Sequence, residues 1–169
     1  MSDKRSLSVE MIDRLSEQIS QLNVEIASQA RRDETSRRLM TIPGFGPIIA
    51  TAVETMAPPA TVFKRGRDFA AWMGLTPRQH SSGGKVRLGR TSKMGHRDLR
   101  RLLIIGASAV VRWATRRKGA TSPWLARMLE RKPPMLVIMA LANKMARIAW
   151  ALMANGSVYR TGHGTVATG

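Results

Sequence analysis

Ile42-Pro43-Gly44-Phe45-Gly46-Pro47-Ile48-Ile49-Ala50-Thr51-Ala52-Val53-Glu54-Thr55-Met56 is the stretch whose reading decides the fold. Two glycines within three residues permit positive φ or a close backbone approach, and Pro47 suits the first turn of a following helix. Ile48, Ile49, Ala52, Val53 and Met56 then recur at helical spacing, and Pro58-Pro59 stops the run. With the helical stretch that begins at Arg37, this segment reads as two helices around a sharp turn. Pro43-Gly44-Phe45-Gly46, with Ala50 following, matches the pattern of a helix-hairpin-helix. In such a turn Gly44 and Gly46 let the backbone approach a phosphate, and the N–H groups opening the next helix point at it. An ordinary tight turn between packed helices leaves the same trace.

Helical periods dominate outward from that turn. Upstream, Ile12, Leu15, Ile19, Leu22 and Ile26 form a heptad seam with Asp13, Glu17, Gln21 and Glu25 between them, and Gln29 and Asp33 break it. A self-associating helix through residues 8–30 is expected; the alternative is one amphipathic helix packed on its own domain. Downstream, a short helix over Phe63 to Met73 closes at Gly74. From Arg97, the residues Leu99, Leu102, Leu103, Gly106, Ala107, Val110 and Trp113 share a helical face. Another helix runs from about Pro123 to Glu130. After Pro133-Pro134 comes an alanine- and methionine-rich helix to about Met153, apolar nearly all round apart from Lys144 and Arg147. It is expected at the centre of the core, ending at Gly156. Arg78 to Met94 is the irregular stretch, a loop or loose hairpin. The fold expected is mainly α: a coiled-coil helix over 1–36, a helical domain over 37–160 and a flexible tail over 161–169.

Composition narrows the function. With 43% hydrophobic residues among 169, the chain can bury a real core. It shows no run of about 18 apolar residues and no secretory leader, so no membrane partner is expected. The absence of cysteine excludes disulfides and thiolate metal sites and fits a cytosolic protein. His80, His96 and His163 lie too far apart in sequence to suggest a zinc site. The formal charge is +17 and uneven: residues 1–35 carry 5 basic and 7 acidic groups, residues 36–169 carry 23 and 4. Such a domain repels itself unless a polyanion neutralises it, and nucleic-acid phosphate is the usual one. A ribosomal-type structural protein or membrane-surface adsorption would be the blander explanations.

The densest cationic stretch also carries hydroxyls. Arg78-Gln79-His80-Ser81-Ser82-Gly83-Gly84-Lys85 is followed by Arg87, Arg90, Lys93, Arg97, Arg100 and Arg101. A serine there can grip phosphate, or it can attack a phosphodiester while Arg and Lys stabilise charge developing on the phosphoryl oxygens. On spacing alone, gripping is the commoner use. The four acids of the basic segment, Glu54, Asp68, Asp98 and Glu130, are scattered, which argues against a self-sufficient two-metal nuclease.

Four motifs follow one another in register: Thr41-Ile42-Pro43-Gly44-Phe45-Gly46-Pro47, Ala70-Ala71-Trp72-Met73-Gly74-Leu75-Thr76-Pro77-Arg78, Ser81-Ser82-Gly83-Gly84-Lys85 and Ser92-Lys93-Met94-Gly95-His96-Arg97-Asp98-Leu99-Arg100-Arg101-Leu102-Leu103. Together they resemble the C-terminal transposase domain of the insertion-sequence family "one-ten", the DEDD-type recombinases that use a bridge RNA. The resemblance covers about residues 8 to 160. It implies a DNA transposase whose N-terminal RuvC-like half, carrying four metal-binding acids, is missing here, so Mg2+ is expected only with that half and no cofactor in this chain. It also implies DNA and guide RNA as partners, a homo-oligomer with composite active sites, and a prokaryotic, nucleoid-associated cytoplasmic location. The family's serine nucleophile precedes a glycine, which places it at Ser82, with Ser81 as fallback; Arg78, Lys85 and Lys93 would be phosphate-side partners. A non-catalytic nucleic-acid-binding module, or a truncated regulator, is the competing expectation.

Overall fold

The computed structural model describes the backbone of residues 2–82, 85–91, 94–117 and 122–160, and the side chains within these except at 2–6 and 78–91. The chain begins with a long helix, α1 (Ser2–Arg32), then α2 (Glu34–Leu39) and α3 (Pro47–Met56), a 3-10 turn at Ala60–Val62, and α4 (Gly66–Trp72). Strands β1 (Pro77–Ser82) and β2 (Lys85–Thr91) come next, then α5 (Arg97–Arg116), α6 (Pro123–Arg131) and α7 (Pro134–Asn155). The fold is mainly α with one inserted antiparallel hairpin. The tail expected over 161–169 lies outside the described residues.

Local chemistry sets the element boundaries. Asp33 breaks α1 from α2 by capping the latter: its Oδ1 accepts from Ser36 N at 2.6 Å, a contact worth about 1 kcal/mol. Ser122 caps α6 in the same way, and Pro47, Pro123 and Pro134 each open a helix where no N–H partner is needed. Gly156, with φ +62, ends α7 in the left-handed conformation.

Helix α7 is the central post of the core. Val137, Ala142, Met145, Ala146, Ala149 and Leu152 are buried, against partners from α2, α4, α5 and α6. The small alanines let α5 approach, where Leu99, Leu103 and Ala107 are fully buried. By length and composition α7 would suffice to cross a membrane, but its buried residues belong to the core clusters of this domain. Phe63, Phe69 and Trp72 close one end of that cluster, with ring centroids 5.2 Å apart for the first pair and 5.9 Å for the other two. A smaller cluster of Val111, Ala114, Leu125 and Val137 seats α6.

Two sequence expectations shift by part of a turn. On α3 the buried residues are Ile49, Ala50 and Val53, while Ile48 and Met56 are exposed, because the helix is covered by α1 and α2 as well as α5. On α5 the buried face drifts to Val111 and Ala114 and leaves Trp113 exposed, since α6 covers the helix from a different side than α7 does. The seam of α1 faces solvent in the single chain: Ile12, Leu15, Ile19 and Leu22 are 61%, 52%, 59% and 55% exposed. Among its described side chains, only the end of that helix, from Ile26 to the fully buried Ala30, is drawn into the domain.

Candidate nucleic-acid interface

The Ser81-Ser82 segment lies on β1, paired antiparallel with β2. Ser82 is opposite Lys85, Ser81 opposite Val86 and His80 opposite Arg87, with an irregularity between Pro77 and Gln79. The two serines therefore occupy the last positions of β1 before the turn. Arg78, Lys85, Arg87 and Arg90 share this hairpin; the side chains of these residues and of the serines, and all of Gly83, Gly84 and Lys93, lie outside the described residues.

The roots of the hairpin are fastened to the helical domain at several points. Gly74, with φ +72, turns the chain out of α4, and Leu75 N donates to Ala70 O at 2.9 Å. On the return, Gly95 has φ +117 and lies so close to α4 that a Cβ would meet Trp72 O, Gly74 N at 2.7 Å and Met73 C at 2.9 Å. Only glycine fits that approach. His96 N donates to Trp72 O at 3.3 Å, and the His96 ring packs 5.5 Å from that of Trp72. The same imidazole caps α5, its Nδ1 accepting from Leu99 N at 3.3 Å. From the other side, Asn143 of α7 donates Nδ2 to Leu75 O at 3.1 Å.

The arginines expected to contact nucleic acid separate into two kinds. Arg97 and Arg101 are exposed on α5. Arg100 is half-buried and turned inward, with Nη1 donating to Met94 O at 3.4 Å and Met73 O at 3.5 Å. It ties both roots of the hairpin together.

The two glycines of the 43–46 turn also part company. Gly44 has φ +89, and a Cβ there would lie 2.8 Å from Gly106 O and 2.8 Å from Val110 Cγ2. Its conformation and its contact with α5 both require glycine. Gly46 is the N-cap of α3 with φ −83, and a Cβ there would meet nothing within 4 Å. Space at the α3 N-terminus is thus open at Gly46 and filled by α5 at Gly44. The turn abuts α5 at Gly106, about 13 Å along the axis from Arg97 at 1.5 Å per residue, so the turn and the hairpin occupy different stations on one helix.

Several residues that build this site carried no chemical flag in the sequence. Asn143 is the one with a usable signal, an amide in the middle of an apolar helix. Gly95 and Gly106 required knowledge of what they touch. Lys144, beside Asn143, sits 4.3 Å over the Trp124 ring, and partial burial followed by the nearby Arg147 charge pulls its pKa down. Among the described residues no three His, Asp or Glu side chains lie close enough to share a metal ion.

Comparison with known proteins places this architecture. A Pseudomonas aeruginosa protein named "Probable family 20 transposase" is 49% identical over 148 residues, which is 88% of this chain and 44% of that protein. The transposase for insertion sequence element IS1328 of Yersinia enterocolitica is 40% identical over 145 residues, 86% of this chain and 43% of its own length. The transposase for insertion sequence element IS1111A of Coxiella burnetii is 38% identical over 156 residues, 92% and 43% respectively. The chain thus spans less than half the length of these relatives. The family model matches residues 36–121, half of the chain, running from α2 through the hairpin and past the end of α5. The chain belongs to the transposase IS116/IS110/IS902 family.

Proposed function

We propose that this chain is the serine-bearing part of an insertion-sequence transposase. It binds DNA together with a guide RNA in the cytoplasm and supplies the Ser82 hydroxyl for strand cleavage and rejoining. The observation that carries this reading is the pinned hairpin: a family member's two adjacent serines end a strand whose roots are fixed by Gly95, Arg100 and Asn143. Positioning of a nucleophile is worth several kcal/mol of barrier only if its support is rigid.

In the proposed step Ser82 Oγ bonds to phosphorus and the phosphorus–oxygen bond to one deoxyribose breaks. The freed deoxyribose oxygen takes up a proton and the serine loses one. Attack by the hydroxyl of a new strand reverses the exchange and regenerates the serine. Arg78, Lys85, Arg87, Arg90 and Lys93 would hold the phosphate and its neighbours, and the α3 N-terminus at Gly46 would add a sequence-independent contact. The described residues include no acid cluster suited to Mg2+, so no step is routed through a metal held by this chain; an RuvC-like partner half would supply those acids. The exposed seam of α1 would pair two or more copies and complete composite sites.

The test is recombination by Ser82→Ala, with the chain joined to an RuvC-like half. Loss of strand exchange and of the covalent protein–DNA adduct is expected, and wild-type recombination would refute the assignment. Ser81→Ala separates the two hydroxyls. Binding without any trappable adduct in the wild type would instead favour a non-catalytic binding module.

A further inference from the structure

We propose that the outward face of α5 is a second nucleic-acid contact, a track on which one side of a duplex lies as it leaves the hairpin. This rests on the reading that the chain binds nucleic acid, and adds a surface to it. Arg97, Arg101, Ile105, Ala109, Arg112 and Arg116 are all exposed. At 100° per residue they fall within about a third of the helix circumference, forming one stripe. Asp98 is the only acid exposed on the helix, and it sits in the first turn, where a carboxylate favours the helix dipole.

A solvated helix face ordinarily interleaves the two signs. Here Arg97 with Arg101, and Arg112 with Arg116, are like-charged i,i+4 pairs, an arrangement that weakens an isolated helix. None of these four forms an ion pair among the described residues, where the cation partners of acids are Arg38 and Arg65. Arg112 Nε donates to Ser108 O at 3.4 Å, which lays its side chain along the helix. A polyanion would relieve both repulsive pairs at once.

Length and composition point to a duplex. The separation from Arg97 to Arg112 is about 22 Å at 1.5 Å per residue, matching roughly six to seven base pairs at 3.4 Å each. Single-strand tracks interleave cations with stacking aromatics, whereas the middle of this stripe holds Ile105 and Ala109. Trp113 stands at its edge, with the Arg117 guanidinium 5.7 Å from its ring. The 43–46 turn abuts α5 at Gly106, level with the midpoint between the arginine pairs along the axis but on the buried side of the helix, so it leaves the track uncovered.

The experiment compares the full chain with Arg112→Gln/Arg116→Gln on a 20-base-pair duplex of arbitrary sequence, titrated from 50 to 200 mM salt. Removing two phosphate contacts lowers the salt slope by about 1.8, so the wild type should lose roughly 12-fold more affinity than the variant across that range. Ala109→Glu, a repulsive charge at an exposed position in the middle of the track, should also weaken binding without altering the thermal melt. Equal slopes for wild type and double variant, with the wild type bound, would overturn the track and leave the proposed function standing. No wild-type binding at 50 mM salt would overturn both. A slope change seen on a 20-nucleotide single strand but not on the duplex would overturn the duplex assignment.

Discussion

Replacing Gly106 by alanine reverses a general rule, and so isolates the packing of the 43–46 turn. Inside an exposed helix, glycine to alanine stabilises by about 1 kcal/mol through backbone entropy. Gly106 is buried in α5, and a Cβ would run into Gly44 O and stand 2.9 Å from Ile49 Cδ1. The carbonyl is main chain, held by a residue at φ +89, so it cannot swing aside as a side chain would. Overpacking of this kind costs about 1–3 kcal/mol. After the propensity gain is offset, a net loss of up to roughly 2 kcal/mol remains, a fall in melting temperature of up to about 8 °C for a chain of this size. Gly46→Ala is the control: its added methyl meets nothing within 4 Å and its φ is −83, so stability should change little, the entropy gain in the unfolded chain being offset by the poorer N-cap that alanine makes. Thermal melts followed by circular dichroism, with urea unfolding as a second measure, read both variants. If Gly106→Ala melts at or above the wild type, the turn is not wedged against α5 and the account of Gly44 fails. The same pair separates fold from function, because a phosphate at the α3 N-terminus would make Gly46→Ala weaken DNA binding at unchanged stability.

Asn143→Leu should cost about 1–3 kcal/mol, because Leu75 O loses its donor at a half-buried position; faster proteolysis near the hairpin roots would report it, and an unchanged melt would refute it. Ile19→Asp places a charge in the exposed α1 seam and should shift light scattering from a dimer or larger species toward the monomer; a monomer in both cases would dismiss seam pairing. Lys144 is disfavoured as an ammonium in the folded chain, so its penalty is present at neutral pH and fades as pH rises toward 10.5, where the free side chain also loses its proton. The stability of the wild type relative to Lys144→Met should therefore climb over that interval, and a flat or falling difference would contradict the burial of that charge.

Helix existence was legible where an apolar period is bounded by proline or glycine. Pro47, Pro123 and Pro134 each open a helix, and the boundaries follow from chemistry local to the chain. Which residues of a period are buried was less legible, because it depends on what covers the helix. The burial of Val111 and Ala114 in place of Trp113 follows from where α6 docks, and nothing within α5 encodes that. Glycines show the limit most sharply. Sequence gave Gly44 and Gly46 one reading, while three dimensions give them opposite surroundings. The irregular stretch after Pro77 was open between loop and hairpin because arginine, serine and glycine lack the alternation that marks a half-buried strand.

The hairpin's isolation gives its roots their importance. A two-stranded hairpin is marginal by itself in water, and β1 and β2 pair only with each other among the described elements. No third strand fixes their register, so restraint has to enter at the base. It enters through Gly95 against α4, Arg100 across both roots, and Asn143 from the central helix. Gly95 and Arg100 are near neighbours in sequence and Asn143 lies more than forty positions further on, yet each acts within the same few residues, 73–75 and 94–96. A nucleophile carried on such an element would be oriented by its anchors and brought to register by the phosphate it binds. Weakening an anchor should then slow strand exchange more than it weakens DNA binding, because the exposed cations of α5, Arg97, Arg101, Arg112 and Arg116, make no contact with the hairpin among the described residues.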